Sequence, residues 1–536
     1  MANLSRGARP STAAAAIVER LRQHGVDTIF GYPGGPLTPL YDALYHEPAV
    51  RHILARDEQG AGFMADGYAR ATGRPGVCLA VCGPGVYNAI TPLATAFSDS
   101  IPLLLISGQL PSRDLHSGYY HENDQLRACI PVTKAQFRVD DVAQIVPTLD
   151  RAWTALLSGR QGPVLFEAPG EVLRTEHSLE TFAPLPARPE PVPPSPSDVD
   201  RLAKLVSTWR RPIIIAGGGV VASGAFQELR ETAERLGAPV FHTLMGKSAF
   251  PGDHPLSAGL PWKEGTSDAS DMASRMSPIL READGMLAVG CRFTQVTTGS
   301  WAMPVPASLA QVDIDETEFG RHYPCALPVL GDARLTLARL LDYLPREARP
   351  AWTNASPPRA PWRLAGLDLA GALRRALPRE TLVVADVTRL AYTMLVEFPV
   401  YEPRTFLHPA AAVSMGYGLP AALGARAALP ERPIVAVMGD GCFQMTGFEL
   451  ATAVQENLPI VLVVVNDGSL TLIKALQHRK FGGRFLGVDL RNPDFGLLAR
   501  AFGVRHFVAD SEQGLAFSVR EALALREPVL VEMRVA

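Results

Sequence analysis

The hydrophobic pattern alternates short, nearly continuous apolar runs with longer segments of helical periodicity along most of the chain. Examples of the apolar runs are GVCLAV at 76–81, IPLLLISG at 101–108, PIIIAGGG at 212–219, TLVVAD at 381–386 and PIVLVVVND at 459–467. Apolar runs of this kind, separated by amphipathic helices, are typical of parallel strands that are buried on both faces. The pattern therefore predicts an α/β protein built from doubly wound parallel sheets.

Two proline-dense segments divide this pattern into three blocks. Residues 184–197 and 345–362 are rich in proline, which neither helix interiors nor central strands accept, so we interpret both as extended linkers. The predicted domains are residues 1–183, 198–344 and 363–536. A chain of 536 residues fits about three domains of ordinary size.

Composition excludes several classes of protein. The net charge of −3 and the absence of a Lys/Arg run argue against a nucleic-acid-binding surface. The apolar runs are far shorter than the roughly 20 residues that a membrane span needs. Six cysteines lie scattered without a CxxC pair, and no export signal is visible, as expected of a reduced, cytoplasmic protein.

Two polar motifs follow neighbouring apolar runs in the C-terminal block. PIVAVM ends at Gly439-Asp440-Gly441, and PIVLVVV ends at Asn466. The segment between them has the apolar face of one amphipathic helix, with helical spacing of Phe448, Leu450, Ala451, Val454 and Leu458. Ligands of parallel sheets bind beyond the carboxyl ends of the strands, so we expect Asp440 and Asn466 to lie side by side. A carboxylate and an amide oxygen suit Mg2+, which usually shares its ligands with phosphates. Either motif alone is an ordinary turn, but the pair predicts a Mg2+-diphosphate site.

This GDG-to-Asn spacing resembles that of the thiamine diphosphate-dependent enzymes, and the acetohydroxyacid synthase large subunits in particular. Further similar segments are IFGYPGGPLTPLYDAL, ARDEQGAGFMADGYARATGRPGVCLAVCGPG, DSIPLLLISGQ and MGYGLPAALGA. The resemblance covers nearly the whole chain and implies pyrimidine-binding, middle and diphosphate-binding domains in that order. It also implies thiamine diphosphate and Mg2+ as cofactors. The pyrimidine site of one subunit then faces the diphosphate site of another, so a homodimer is the minimal unit; a tetramer and a regulatory subunit stay open.

The resemblance assigns roles to individual residues. It implies that Asp440, Asn466 and the carbonyl of Gly468 bind the metal, and that Glu58 hydrogen-bonds the cofactor pyrimidine and so activates its reactive carbon. The remaining residues implied to line the pocket or hold the cofactor are Gly34, Gly35, Gln109, Thr388, Met415, Gly439, Gly441, Cys442 and Leu470. Met415 matches the apolar wedge that bends the cofactor.

The same comparison suggests residues that contact substrate. Arg292 matches a synthase position that holds the carboxylate of the second 2-oxo acid, a task that suits a guanidinium. The predicted side-chain pocket consists of Leu472, Ile473 and Leu476, and Leu476 replaces a tryptophan of the synthases.

Other departures from the synthases point to decarboxylases. His121 stands where the synthases have glutamine, and Thr388-Arg389 stands where they have Gly-Gln. Segments such as HENDQL and DVTRLAY are closer to decarboxylases of the kind that act on 5-guanidino-2-oxopentanoate.

The middle block contains a glycine-rich turn. Gly217, Gly219 and Ala222 satisfy G-x-G-x-x-A, but the following strand ends in PVFHT, without the acidic residue that binds the ribose of NAD. The resemblance implies FAD instead, in a non-redox role, with ADP or no ligand as alternatives. Thr294, Gln295 and Val296 replace charged residues of the synthases, which leaves this choice open.

The predicted function is decarboxylation of a 2-oxo acid, followed by ligation of the remaining group to a second 2-oxo acid or aldehyde. The first alternative is a non-ligating 2-oxo acid decarboxylase. The second is a catalytically inactive binding or regulatory paralogue, which the joint presence of Glu58, Asp440 and Asn466 disfavours.

Overall fold

Three six-stranded parallel sheets follow one another along the chain in the computed structural model, which describes residues 11–115, 117–177, 183–262, 276–357 and 363–535. Every pair of neighbouring strands in these sheets is parallel. The predicted α/β architecture is therefore confirmed. Among the described residues, no helix has the length and apolar character needed to cross a membrane.

The first sheet has the order β2-β1-β3-β4-β6-β5. Its strands are β1 (Thr28–Gly31), β2 (Arg51–Leu54), β3 (Gly76–Ala80), β4 (Leu103–Gln109), β5 (Ala135–Arg138) and β6 (Val164–Pro169). Its helices are α1 (Ala13–Gln23), α2 (Thr38–Tyr45), α3 (Glu58–Thr72), α4 (Pro84–Asn88), α5 (Ile90–Asp99), α6 (Gln125–Cys129), α7 (Ile145–Leu157) and α8 (Gly170–Arg174).

The middle sheet has the order β12-β11-β10-β7-β8-β9, which is the doubly wound order of dinucleotide-binding domains. Its strands are β7 (Pro212–Ala216), β8 (Val240–His242), β9 (Ser257–Gly259), β10 (Gly285–Val289), β11 (Leu309–Asp313) and β12 (Leu327–Leu330). The described helices here are α9 (Pro196–Ser207), α10 (Gly218–Ser223), α11 (Phe226–Leu236), α12 (Pro278–Glu282) and α13 (Ala333–Leu341).

The third sheet, β14-β13-β15-β16-β18-β17, repeats the strand order of the first. Its strands are β13 (Leu382–Ala385), β14 (Phe406–Leu407), β15 (Ile434–Gly439), β16 (Val461–Asn466), β17 (Arg505–Ala509) and β18 (Val529–Arg534). Its helices are α14 (Leu369–Ala376), α15 (Arg389–Glu397), α16 (Gly418–Ala428), α17 (Asp440–Thr446), α18 (Leu450–Gln455), α19 (Thr471–Phe481), α20 (Phe495–Ala501) and α21 (Glu512–Ala524).

The predicted linkers have little regular structure where they are described. Residues 184–195 form neither helix nor strand, and α9 begins at Pro196, inside the predicted first linker. Residues 345–357 are also irregular, while 358–362 lie outside the described residues, as do 1–10 and 178–182 of the predicted first domain. The exact domain boundaries stay predictions.

Helices α3 and α16 join the first and third sheets at very short range. A Cβ atom on Gly67 would lie 2.2 Å from the carbonyl oxygen of Ala421, and one on Gly424 would lie 1.8 Å from that of Met64. Any larger residue at either glycine would therefore push the two backbones apart. The side chain of Asp57 caps α3 by accepting a hydrogen bond from the N–H of Gln59, and Gly73 ends the helix in a left-handed conformation.

The segment after Gly441 differs from its prediction as one amphipathic helix. It folds as α17, a 3-10 turn at Gly447–Glu449 and α18. The turn rotates the apolar face, so that Phe448 is 70% exposed and Val454 is 37% exposed, although helical spacing predicted both as core residues. Glu449 is buried in their place and accepts hydrogen bonds from the N–H of Arg56 (3.0 Å) and the hydroxyl of Thr452 (2.6 Å).

The Glu449 carboxyl gives this interface a pH-dependent stability. Burial raises its pKa to about 7, against the opposing effect of the hydrogen bonds from Thr452 and Arg56. Because the unfolded chain ionises near 4.5, the folded state keeps a proton that the unfolded state loses, and stability falls as the pH rises toward 7. We expect Glu449→Gln to remove this loss. The melting temperature of the variant minus that of wild type should therefore be higher at about pH 8 than at about pH 5, by about 2 °C or more.

Differential scanning fluorimetry over that range measures the effect, with Glu456→Gln as the control. Glu456 lies at the same interface and pairs with Arg51 at 3.4 Å, but it is not buried. A melting difference for Glu449→Gln that does not change with pH would contradict the prediction.

Candidate functional site

The first group of predicted site residues lies at the carboxyl ends of β15 and β16. These strands are neighbours, with Gly439 opposite Val465, so Asp440 and Asn466 follow adjacent strand ends as predicted. Asp440 is only 2% exposed, and burial raises its pKa despite hydrogen bonds from Asn492 and from the backbone N–H groups of Gly441 and Gly468.

One amide group joins the two predicted metal ligands. The Nδ2 atom of Asn492 lies 2.6 Å from Oδ2 of Asp440 and 2.8 Å from Oδ1 of Asn466. The two oxygens thus converge on one point, which is occupied here by an electropositive donor. Hard oxygen ligands that converge in this way fit Mg2+. Sequence analysis missed Asn492, because it lies 26 residues from Asn466 in a loop without a recognisable motif.

Both backbone polar groups of Gly468 form hydrogen bonds within the protein. Its N–H donates to Oδ2 of Asp440 at 2.8 Å, and its carbonyl oxygen accepts a hydrogen bond from the N–H of Leu490 at 2.7 Å. A metal would have to use the second lone pair of that carbonyl. The third-ligand role of Gly468 stays a prediction.

The predicted cofactor-holding residues gather around the same strand ends. A Cβ atom on Gly441 would lie 2.8 Å from Cδ2 of Leu470 and 3.9 Å from Cε of Met415, and one on Gly439 would lie 3.3 Å from Cγ2 of Thr388. The two glycines therefore form a narrow cradle that a ligand backbone could approach closely. Cys442 lies just beyond it, with its Sγ donating to the carbonyl of Val387 at 3.2 Å.

A buried carboxylate supports this cradle from below. Asp386 accepts hydrogen bonds from the N–H groups of Gly418 (2.7 Å) and Val387 (2.6 Å), so it ties the start of α16 to the end of β13. Burial raises its pKa to about 6, against the effect of these backbone donors. Burial also raises the pKa of the Cys442 thiol, which lies beside Asp386 and is therefore a neutral, unreactive group.

The second group surrounds Glu58 at the carboxyl edge of the first sheet. Glu58 begins α3, is 7% exposed and accepts a hydrogen bond from Nδ2 of Asn88 at 3.1 Å. A Cβ atom on Gly85 would lie 2.8 Å from its Oε1 and 2.8 Å from Cγ1 of Val81, and one on Gly34 would lie 2.6 Å from Cβ of Val81. Gly35 starts the next 3-10 turn. The structure thus brings Gly34, Gly35 and Glu58 to one edge.

Gln109 is held by a polar network rather than free to face a ligand. Its Nε2 donates to Glu167 at 3.2 Å, and its Oε1 accepts from the N–H of Leu110 at 2.8 Å. Glu167 also accepts from Gln125 (2.5 Å) and Arg138 (2.7 Å), and burial raises its pKa despite these partners.

His121 lies beside the Glu58 group in a strained conformation. Its φ angle is +66°, and its carbonyl oxygen lies 3.0 Å from the position of a Cβ atom on Gly83, two residues before Gly85. Its Nδ1 is buried without a hydrogen-bond partner among the described residues. A strained backbone and an unpaired ring nitrogen are both features of functional sites.

The other predicted substrate residues fall into two sets, one on the helix that follows Leu470 and one in a cavity. Leu472 and Ile473 are each 45% exposed on α19, a helix with no buried residue, and Leu476 is half-buried there. Arg292 donates to the carbonyl of Ser98 at 2.7 Å and lines a cavity of about 760 Å3 between the three domains. Neither Glu58 nor Asp440 lines that cavity.

Comparison with known families identifies related proteins along the whole chain. Residues 11–128 match "Thiamine pyrophosphate enzyme, N-terminal TPP binding domain", residues 199–340 match the central domain of that family, and residues 386–533 match its C-terminal TPP binding domain. The resemblance predicted from the sequence is confirmed, and thiamine pyrophosphate is the same molecule as thiamine diphosphate.

Individual relatives include synthases and a decarboxylase. The chain is 35% identical to the acetolactate synthase large subunit of Corynebacterium glutamicum, over 99% of this chain and 88% of that protein. It is 34% identical to the acetolactate synthase isozyme 3 large subunit of Escherichia coli, with 92% and 88% covered. It is 37% identical to the "Probable 2-ketoarginine decarboxylase AruI" of Pseudomonas aeruginosa, with 98% and 94% covered.

A solved structure shares the fold. "X-ray structure of a putative thiamin diphosphate-dependent enzyme isolated from Mycobacterium smegmatis" aligns with a TM-score of 0.84 at 23% identity, and the alignment covers 98% of this chain and 99% of that one.

The convergence of Asp440 and Asn466 on one point predicts a metal-dependent loss in Asp440→Ala. We expect this variant to lose retention of thiamine diphosphate in the presence of Mg2+, because the metal would connect the protein to the diphosphate. Equilibrium dialysis with and without Mg2+ measures the effect.

Asp489→Asn is the control, since Asp489 is an exposed carboxylate of the same loop region that pairs with Lys474 at 2.6 Å. Cofactor retention by Asp440→Ala at the wild-type level, or by wild type after exhaustive chelation, would exclude this metal site.

Proposed function

Because this chain belongs to the thiamine pyrophosphate enzyme family, we propose that it decarboxylates a 2-oxo acid and joins the remaining acyl group to a second 2-oxo acid. The observation that carries the proposal is the presence of two complementary half-sites. A buried carboxyl, Glu58, lies at the edge of the first sheet, and two converging oxygens, of Asp440 and Asn466, lie at the edge of a sheet with the same strand order.

The residues of the C-terminal half-site fit Mg2+ and a diphosphate. Asp440 and Asn466 would supply oxygen ligands to the metal, and the cradle of Gly439 and Gly441 leaves room for a ligand between Thr388 and Leu470. Met415, which approaches Gly441, would support the rings of the cofactor from its apolar side.

The residues of the N-terminal half-site fit a proton relay. Bound thiamine diphosphate would supply a carbon that, once deprotonated, is a nucleophile toward a carbonyl, and a ring that accepts the electron pair released with CO2. Glu58 would share its proton with the pyrimidine of the cofactor, while Asn88 fixes the orientation of the carboxyl and Gly85 excludes water from one side. These features favour an active enzyme over an inactive paralogue.

Two copies of the chain would complete each site. The hydrogen-bond partners of Asp440 and Asn466 all come from the C-terminal domain. Beside that half-site Met445 and Phe448 are exposed apolar residues, and beside the Glu58 group Tyr32 and Tyr87 are exposed. Exposed apolar residues around both half-sites suit a homodimer in which one subunit's N-terminal domain covers the other's C-terminal domain.

A second candidate is decarboxylation without ligation, and His121 is the observation that favours it. The backbone carbonyl of His121 lies 3.0 Å from the position of a Cβ atom on Gly83, two residues before Gly85, and its unpaired Nδ1 could hand a proton to the carbon that CO2 has left, which would release an aldehyde. The 37% identity to a protein named as a 2-ketoarginine decarboxylase supports the same reading.

The cavity between the domains suits a nucleotide. It lies at the point where the middle sheet reverses its strand order, between β7 and β10, and Gly218, Gly219 and Arg292 line it. We propose FAD or ADP in a non-redox role there. On this reading Arg292 would face the nucleotide rather than the substrate.

A panel of 2-oxo acids separates the two functions. We expect pyruvate to yield CO2 together with a 2-hydroxy-3-oxo acid, and pyruvate and 2-oxobutyrate to compete as acceptors with a preference below about 200-fold, because one methylene changes apolar binding by only about 1–3 kcal/mol. Mass spectrometry of products and CO2 release from pyruvate, 2-oxobutyrate, benzoylformate and a guanidino-bearing acid provide the measurement.

Glu58→Gln is the matched control, which should retain the cofactor and lose CO2 release by at least about 100-fold. If one equivalent of aldehyde forms without any ligated product, and forms fastest from the guanidino acid, the ligating function is wrong and the non-ligating decarboxylase takes its place. No CO2 from any acid with cofactor bound would contradict both.

The nucleotide proposal predicts a visible property. If FAD fills the cavity, the purified protein should be yellow, and its flavin absorbance should not bleach during turnover. Absorbance spectra and mass spectrometry of the heat-released ligand distinguish FAD from ADP. A colourless, fully active preparation without any released nucleotide would contradict the proposal.

A further inference from the structure

We propose that Glu532 is a positioning residue that determines which atom of Asn466 faces the metal; this inference rests on the proposed Mg2+-thiamine diphosphate function. An asparagine amide can present either its oxygen or its NH2 group to a neighbour, and only the oxygen can bind a cation. A metal site built on asparagine therefore needs a partner that selects one orientation.

Glu532 makes this selection through a direct hydrogen bond. Its Oε1 accepts from Nδ2 of Asn466 at 2.8 Å, and an ionised carboxylate can only accept. The amide oxygen of Asn466 is thereby directed away from Glu532 and toward Asp440, where Nδ2 of Asn492 approaches it at 2.8 Å. His506 contacts Oε2 of Glu532 at 3.1 Å, and Arg534 donates to Oε1 at 3.0 Å.

The strand register explains why this contact forms. Strands β16 and β18 are parallel neighbours with Val464 opposite Glu532 and Asn466 opposite Arg534. Since side chains alternate between faces, Glu532 and Asn466 lie on the same face, with Asn466 nearer the carboxyl edge. On the next strand His506 lies opposite Leu530 and therefore on that face as well.

The first sheet contains the same arrangement. Strands β4 and β6 occupy the places that β16 and β18 occupy in the third sheet, and Ser107 lies opposite Glu167. Glu167 accepts from the amide of Gln109, two residues along β4, at 3.2 Å. The sequences are PVLFE at 163–167 and PVLVE at 528–532. Both sheets thus place a carboxylate where it orients the amide at the end of the neighbouring strand.

Simple ion pairing does not account for Glu532. The carboxylate is 2% exposed within an otherwise apolar strand, where desolvation disfavours it, whereas the side chain of its partner Arg534 is 57% exposed and would be solvated without it. The hydrogen bond from Asn466 instead assigns the buried carboxylate the role of orienting that amide.

The experiment measures Mn2+ affinity, with thiamine diphosphate present, by electron paramagnetic resonance of free Mn2+. In Glu532→Gln the new side chain can donate as well as accept, so Asn466 can turn its NH2 group toward the metal. We expect the Mn2+ dissociation constant to rise about 10–100-fold, as is typical when an outer partner of a metal ligand is lost. The melting temperature without metal should stay at the wild-type value.

Glu527→Gln is the matched control, because Glu527 lies just before β18 and pairs with Arg505 of β17 at 2.6 Å but has no hydrogen bond to Asn466. It should bind Mn2+ like wild type. A dissociation constant for Glu532→Gln within about twofold of wild type would overturn the inference while leaving the metal site intact. Removal of a residue that orients a metal ligand typically weakens metal binding by more than this. Failure of the wild type itself to bind Mn2+ with thiamine diphosphate would instead overturn the proposed function.

A second background separates orientation from packing. In Asn466→Asp both side-chain atoms that can face the metal are oxygens, so no orienting partner is needed, and Glu532 repels the new carboxylate. In the Asn466→Asp variant, adding Glu532→Gln should leave Mn2+ affinity unchanged or improve it. The titrations must extend to millimolar Mn2+. An equal loss in both backgrounds would show that Glu532 merely supports the strand and would overturn the inference.

Discussion

The close packing of α3 against α16 is the contact on which the rest of the structure depends. The two backbones approach so closely that Gly67 and Gly424 have no room for a Cβ atom. A buried ionic network locks the contact: Arg70 pairs with Asp66 at 2.5 Å and with Asp99 at 2.9 Å, and Tyr417 of the C-terminal domain donates to Asp66. Breaking one such buried pair typically costs about 3–5 kcal/mol. Because α3 begins at Glu58, this contact also fixes where the catalytic carboxyl of the proposed mechanism lies.

The repeated strand order of the outer sheets divides the chemistry between two similar platforms. Each platform places polar groups at the same strand ends, and each backs an amide with a carboxylate on the neighbouring strand, Glu167 or Glu532. The two platforms differ in the partner of the amide oxygen. The oxygen of Gln109 accepts a hydrogen bond from the N–H of Leu110, whereas the oxygen of Asn466 is directed at Asp440. In the proposed function, the first platform supplies the carboxyl of Glu58 and the other supplies the metal ligands, although their folds are alike.

Local sequence patterns predicted the fold and the pairing of Asp440 with Asn466, whereas Glu58 was predicted from the family resemblance. Near-continuous apolar runs mark buried parallel strands, and Asp440 and Asn466 stand directly at the strand ends. Asn88, Asn492 and Glu532 were missed because their contacts join residues 26 to 66 positions apart, which periodicity cannot reveal. A charged residue inside the apolar strand VLVEMR was the available signal for Glu532. Phe448 was wrongly predicted as core because a 3-10 turn breaks the expected helical face.

The strained loop at His121 connects the packing of the first domain to its chemistry. A non-glycine residue held at φ +66° costs on the order of 1–3 kcal/mol, and it persists only where the surrounding structure imposes it. Gln125 holds the neighbouring Gly83, whose Cβ position lies 3.0 Å from the carbonyl oxygen of His121: the Oε1 of Gln125 accepts from the N–H of Gly83 at 3.0 Å, and its Nε2 donates to the buried Glu167 at 2.5 Å. The same carboxylate that orients Gln109 thus anchors the loop that carries His121 toward the Glu58 group. This buried network therefore fixes the position of His121 beside Gly83, whereas the helix α19 contributes no buried residue.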